Sequence, residues 1–323
     1  MGLAIWVFLA VNAAWFALLL GILAGRPWLV CSLNTVLSRL LPSFSFLHIL
    51  TAYLAAHDLC RANDFGTALR VVPAEAGVAN AMMTPAILFG AFLLQGIMQV
   101  LSSTRNVLTT TPALTVQLIT LFFYTTEWAQ PSCGLLTRWP RAQGTFVPLH
   151  YALWLCSVSN QVMTLFALER SLFSQHEQRS AKGSATAGAD HRNCCVALLA
   201  VMSMLWCAAI GDAYQGSVAT AVLWMLASFS SFYALIVTGI WMPLRACQLR
   251  AYRSDDPARK SSASRFLWVS AYLGLIWHGF PAVWLANALG LTTDMEYRIG
   301  YVVTDVLAKF LPPSLYLAVA TTP

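Results

Sequence analysis

Runs of about twenty residues without a charged side chain recur along this chain, and each is long enough to cross a bilayer core of roughly 30 Å. In hydrocarbon a backbone must satisfy its own amides and carbonyls, so such runs fold as helices. Apolar runs between polar breaks fall at 3–24, 40–57, 80–104, 107–126, 147–168, 193–211, 217–244, 266–290 and 297–320. That is nine spans, or seven plus two. The second is short and contains Pro42 and His48, so it need not span. Composition points the same way: 10% of residues are charged, against roughly a quarter in a soluble domain. The chain is read as an all-α, multi-pass integral membrane protein. The first run lacks the charged start and small-residue cleavage site of a signal peptide and is kept as a membrane segment.

Basic residues set the orientation, because short basic loops stay cytoplasmic. The 169–192 loop holds Arg170, Arg179, Lys182 and Arg192, and the 245–265 loop holds Arg245, Arg250, Arg253, Arg259, Lys260 and Arg265. Both loops and the C-terminus are assigned to the cytoplasm; 127–146, the turn after Asp212 and the stretch around Asp294 and Glu296 face outward. The net charge of +6 reflects these loops, and no nucleic-acid partner is implied. The Ser/Ala/Gly run SAKGSATAGAD reads as a flexible solvated connector. Of eight cysteines, Cys156, Cys194, Cys195 and Cys207 lie in apolar stretches as small buried residues, while Cys60 and Cys133 lie in loops on one side and could pair. There is no C-x-x-C pair, no metal-ligand spacing, no phosphate-binding G-x-x-x-x-G-K-[ST] and no internal repeat. An enzyme is not expected.

The chain has three lysines, and two of them, Lys182 and Lys260, sit in the basic loops. The third, Lys309, lies near the middle of the last apolar helix, where an ionisable group costs several kcal/mol unless partnered. Asp305, four residues earlier, shares its face, and is the only carboxylate inside any of the runs as drawn. The plain reading is a buried ion pair that locks the helix against its neighbours. The chemical reading is an amine that condenses with an aldehyde, the protonated Schiff base being compensated by Asp305. On the preceding helix Trp277, Phe280 and Trp284 recur at i, i+3 and i+7 around Pro281. Such an aromatic stripe is ordinarily core, but it would also wall a conjugated ligand.

The segment Trp277-His278-Gly279-Phe280-Pro281-Ala282-Val283-Trp284, followed by Asp305-Val306-Leu307-Ala308-Lys309, resembles the last two helices of the microbial rhodopsins. In that family W-x-x-[YF]-P-x-x-W packs on retinal and D-x-x-x-K supplies counterion and Schiff-base lysine. The likeness extends more weakly over 80–320: His150-Tyr151-Ala152-Leu153-Trp154-Leu155 is similar to the third-helix pattern R-Y-x-[DE]-W-L, and Leu223-Trp224-Met225 with Ser228 and Phe232 to the fifth-helix wall of the pocket. The resemblance implies a seven-transmembrane-helix rhodopsin-like bundle over 80–323, preceded by one or two additional N-terminal helices in 1–79. It implies retinal bound covalently to Lys309, with Asp305 as counterion. The implied pocket is Trp154, Met225, Ser228, Phe232, Trp277, Phe280, Pro281 and Trp284, with Trp154 and Trp277 sandwiching the polyene.

The departures bear on output. Leu153 and Thr164 stand where a light-driven proton pump carries acceptor and donor acids, and His150 stands where it carries arginine. Outward proton pumping is not expected. A light-gated ion channel is slightly favoured, since Phe280 precedes the proline as in channel-type members. The polar residues Asn160, Gln161, Ser157 and Gln117, with few acids, suit anions better than cations. Taken singly, each is better explained by interhelical hydrogen bonding. Candidates for gating or proton transfer are His150, Ser157, Gln161 and Glu127. The alternative is a sensory rhodopsin that regulates an effector beyond Pro323 or on another chain. A further alternative is a non-photochemical transporter with a buried Asp–Lys pair. Expected partners are the bilayer, retinal, ions, and a second copy or an effector.

Overall fold

A computed structural model of the chain describes residues 3–24, 27–61, 71–72, 76–102, 107–129, 134–137, 144–177, 184–213, 217–253 and 255–309. In chain order the elements are α1 (Leu3–Ala24), α2 (Pro27–Arg61), β1 (Val71–Val72), α3 (Ala76–Ser102), α4 (Val107–Ala129), β2 (Gly134–Thr137), β3 (Gly144–Phe146), α5 (Pro148–Glu177), α6 (Ser184–Ala213), α7 (Val218–Leu235), α8 (Met242–Tyr252), α9 (Pro257–Trp277), α10 (Gly279–Ala288) and α11 (Asp294–Lys309). A π-helical turn, Ile236–Trp241, joins α7 and α8 into one rod. With α9 and α10 running on as one span, Ala263–Ala288, the described residues form nine helical rods.

Among the described residues seven helices are long and apolar enough to cross a membrane: Leu3–Ala24, Leu40–Asp58, Asn80–Met98, Pro148–Glu169, Arg192–Ala213, Val218–Tyr252 and Ala263–Ala288. The second makes 40–57 a candidate span, and α2 continues unbroken through Pro42. A membrane helix tolerates proline where its neighbours re-satisfy the freed carbonyl. The two remaining rods are α4 and α11, the described part of α11 being 16 residues long. On α11 polar residues share one face: Arg298, Tyr301, Asp305 and Lys309 are buried, while Ile299, Val303 and Leu307 on the other side are 47%, 51% and 37% exposed.

The centre of the bundle is α5. Its apolar segment Pro148–Glu169 is 89% buried, against 22–50% for the other six spans. It packs on α4, α6 and α2, while α1 lies on α2 and α6. The sites of two helix breaks have local causes. Pro281 has no N–H to offer Trp277, and the chain tightens there, with His278 N–H bonding Leu275 O at 3.1 Å. After α10, Gly290 takes φ +71; Leu291 N–H then reaches Ala286 O and Gly290 N–H reaches Asn287 O, both at 2.9 Å, a Schellman ending. The following helix starts on a capping box, in which Thr293 N–H donates to Glu296 Oε2 at 2.7 Å and Glu296 N–H to Thr293 Oγ1 at 3.3 Å.

Several expectations need correction. The basic 245–265 segment is not a loop: it comprises the end of α8 and the start of α9, since Arg, Gln, Leu, Ala and Lys sustain helix beyond the hydrocarbon. The Ser184–Asp190 part of the presumed flexible connector is likewise the start of α6. A three-stranded antiparallel sheet, β1-β2-β3, pairs Val71 with Leu135 and Leu135 with Phe146, an element the all-α reading lacked. The Cys60–Cys133 pairing, and the last helix beyond Lys309 with Pro312-Pro313, lie outside the described residues and side chains.

Candidate functional site

Lys309 and Asp305 form an ion pair, Nζ to Oδ1 2.7 Å, with side chains 0% and 1% exposed. The i,i+4 spacing on α11 aligns them, and two other helices complete the carboxylate's partners. Tyr124 of α4 donates its hydroxyl to Oδ2 at 2.7 Å, and Trp154 of α5 donates its indole N–H to Oδ1 at 3.1 Å. Burying two charges costs several kcal/mol per ion, which excellent geometry and further hydrogen bonds must offset. Here a cation and two neutral donors do so. The turn that carries Lys309 is also fixed from α5, where Gln161 Nε2 donates to Ala308 O.

Beside this pair opens a cavity with an apolar, aromatic wall, the kind of lining that cofactor pockets have. All eight residues named for the pocket from sequence, Trp154, Met225, Ser228, Phe232, Trp277, Phe280, Pro281 and Trp284, line it. They arrive from α5, α7, α9 and α10, so three motifs far apart in the chain meet on one space. Trp154 is central: its ring lies 4.7 Å from Tyr301, 5.3 Å from Phe280 and 5.3 Å from Tyr151. Ser228 turns its hydroxyl to Met204 O at 2.8 Å, so it presents little polarity to the cavity. Tyr151, Val158, Met204, Leu205, Ala208, Phe229, Leu235 and Tyr301 complete the wall and were not singled out from sequence. Lys309 itself is not on the wall; its amine rests on Asp305, behind Trp154 and Tyr301.

The remaining candidates are dispersed. His150 stacks on Trp154 at 5.7 Å and lines a smaller polar cavity with Tyr151, Asp212, Tyr297, Arg298 and Tyr301. Ser157 and Asn160 bond back to their own helix, at Trp154 O and Cys156 O, and Asn160 Nδ2 also reaches Ser45 Oγ of α2 at 2.8 Å. The Gln117 amide is fully buried with no hydrogen-bond partner among the described residues, as are Asn160 Oδ1 and Gln161 Oε1. Glu127 is 2% exposed near the end of α4. Leu153 is fully buried, and Thr164 bonds its own helix at Asn160 O.

Asp305 is not the only buried carboxylate, which corrects the sequence reading. Glu127, Glu169 and Asp212 are 2%, 1% and 5% exposed. Glu169 pairs with Arg250 of α8, and Asp212 accepts hydrogen bonds from Tyr151 and Trp284.

Comparison with solved structures sets this arrangement in context. The light-driven proton pump Coccomyxa subellipsoidea rhodopsin CsR superposes with a TM-score of 0.59 at 15% identity, over 76% of this chain and 97% of that one. The transmembrane domain of Salpingoeca rosetta rhodopsin phosphodiesterase gives 0.62 at 10% identity, over 86% and 97%. Halorhodopsin, a light-driven chloride pump, gives 0.55 at 13%, over 75% and 94%. The fold is that of the microbial rhodopsins. No protein-family model matches the chain, and no curated protein is similar to it in sequence. Because these structures include two pumps and a phosphodiesterase's membrane domain, the likeness carries the fold and leaves the output to the chain's own residues.

Proposed function

We propose that the chain is a retinal-binding photoreceptor in which light isomerises a retinal joined to Lys309, with Asp305 as counterion. The observation that carries this is the fully buried Lys309–Asp305 pair beside a cavity walled by Trp154, Trp277, Phe280 and Trp284. Retinal would supply the light-absorbing, isomerising polyene. The chain's part is to hold an amine in a dry site, to compensate its charge, and to clamp the polyene between rings. For Lys309 to reach the cavity, its amine turns from Asp305 past Trp154, while Tyr124 and Trp154 keep the carboxylate in place. The residues fit the group: the cavity is apolar and aromatic, and the one deep lysine adjoins it. The experiment is to purify the full chain after supplying all-trans-retinal and record its visible spectrum beside Lys309→Ala. A band in the parent that the variant lacks is expected; no band beyond free retinal in either sample refutes the reading and returns the pair to a structural lock.

The reading favoured for output is a light-gated ion channel, not a proton pump. Leu153 and Thr164 offer no acid on α5, whereas the orphaned polar atoms of Gln117, Asn160 and Gln161 call for water or ions inside the bundle. The second reading, a sensory rhodopsin, is favoured by a different observation. Adjacent residues of α5 bond the turn of Lys309, through Gln161 to Ala308 O, and the N-terminal helix α2, through Asn160 to Ser45. Movement at the chromophore would thus reach α1 and α2. The wider overlap with the Salpingoeca rosetta domain supports treating 1–79 as additional helices on an 80–323 core. Photocurrents that reverse near an ion's equilibrium potential support the channel; a slow photocycle without current supports the sensor. Exposed Arg245, Arg253, Lys260 and Arg265 support a cytoplasmic α8–α9 connection. No enzymatic step is proposed.

A further inference from the structure

Asp212 is a carboxylate that the proposed photochemistry leaves unused, yet it is 5% exposed and hydrogen-bonded on both oxygens. Oδ1 accepts the indole N–H of Trp284 at 3.1 Å, and Oδ2 accepts the hydroxyl of Tyr151. An indole can only donate, and two neutral donors, one on each oxygen, suit the carboxylate form. Both donors are wall residues of the aromatic cavity. The position of Asp212 along that cavity follows from its helix. Ala208, one turn earlier on α6, lines the wall, and Gly211 lies so close to α7 that a Cβ there would meet Met225 Cε at 2.6 Å. The carboxylate therefore stands on the α6–α7 side of the aromatic cavity, and it also faces the smaller polar cavity that it lines with Tyr297, Arg298 and Tyr301 of α11. Tyr151 and Trp154, their rings edge to face 5.3 Å apart, connect the two anions: one is bonded to Asp212 and the other to Asp305.

We infer that Asp212 is a positioning and colour-setting residue, which fixes Trp284 and Tyr151 against the ligand and presents a second negative charge to the end of the polyene remote from Lys309. The inference rests on the retinal reading above. In a protonated Schiff base of a conjugated polyene the positive charge sits near nitrogen in the ground state and moves toward the far end on excitation. By Coulomb's law an anion at the far end stabilises the excited state more than the ground state, and in a low-dielectric site the effect is strong. Absorption moves to longer wavelength. Asp305, beside the nitrogen, acts in the opposite sense.

The test is the visible spectrum of the full chain supplied with all-trans-retinal, for the parent, Asp212→Asn, Asp212→Glu and Tyr151→Phe. Asp212→Asn keeps the shape and removes the charge, and its band is expected at shorter wavelength than the parent's. Asp212→Glu keeps the charge and is expected near the parent. Tyr151→Phe keeps the carboxylate and removes one donor dipole that offsets its charge, so a small shift to longer wavelength is expected. An Asp212→Asn band at the parent position overturns the assignment and leaves the retinal reading standing. Shifts in Tyr151→Phe or Asp212→Glu as large as that of Asp212→Asn overturn the role of charge. If Asp212→Asn fails to fold, a Tyr151→Phe band at the parent position overturns the inference instead. A parent without a visible band overturns both readings.

Discussion

Removing one member of the Lys309–Asp305 pair, and then both, measures how far the ion pair holds the bundle together in the retinal-free protein. Asp305→Asn keeps the side-chain shape but leaves the Lys309 ammonium, fully buried, without its 2.7 Å partner. Breaking a buried pair in this way costs about 3–5 kcal/mol. The amide also places an NH₂ toward one of two donors. Tyr124 can rotate its hydroxyl to accept, whereas the Trp154 indole cannot, and that mismatch lies in the same range of about 1–3 kcal/mol as any orphaned buried group. Lys309→Met should cost about as much as Asp305→Asn, for it strands the carboxylate with two neutral donors. The double variant removes both charges and should lie within about 2 kcal/mol of the parent, since replacing a buried pair by apolar groups is often neutral. The assay is equilibrium unfolding of the four proteins in mixed micelles, read by helical circular dichroism. Single-variant losses under about 0.5 kcal/mol, or a double variant whose loss equals the sum of the singles within that margin, would refute the reasoning.

With retinal bound, Asp305→Asn should lose the protonated chromophore, moving the band to shorter wavelength; a spectrum and a pH titration that match the parent count against the counterion role. Gly279→Ala should destabilise by about 1–3 kcal/mol, because its Cβ would sit 3.0 Å from Cγ2 of the stiff Thr304, next to Asp305; thermal unfolding checks this. Gly211→Ala should be neutral within about 1 kcal/mol, because the closest atom there is the mobile Met225 Cε; a loss as large as that of Gly279→Ala would contradict it. Arg250→Gln should cost about 1–3 kcal/mol by taking from Glu169, 1% exposed, its ion-pair partner, and Glu169→Gln in the same chain should recover most of that loss on the same thermal measurement.

The helices were legible because apolar runs leave a local signature, and the cavity residues because each motif repeats at helical spacing and so puts its rings on one face. Trp277, Phe280 and Trp284 needed only that α9 and α10 be helical and turn one side inward. What escaped was decided by partners distant in the chain. The strands at 71–72, 134–137 and 144–146 are two to four residues long, too short for alternation to mark them, and β1 joins β2 from a distant part of the chain. Loop readings at 184–190 and 245–265 failed for another reason: charge and small residues mark where a helix leaves hydrocarbon, not where it ends.

The same confusion explains the missed carboxylates. Glu127, Glu169 and Asp212 each fall one residue beyond an apolar run, at 107–126, 147–168 and 193–211, because the run was closed at the first charge. Yet α4 continues to Ala129, α5 to Glu177 and α6 to Ala213, and each carboxylate turns inward. For Asp212 what makes this tolerable is a phenol 61 residues earlier and an indole 72 residues later, and for Glu169 an arginine 81 residues later. A buried carboxylate at the end of a span is therefore a statement about which donors the other helices bring to that level. Tyr151 and Trp284 were both in plain view beside motif residues, each with a polar hydrogen that burial obliges to find an acceptor. The acceptor those two hydrogens require is an acid near the end of a neighbouring helix, and in this bundle that acid is Asp212.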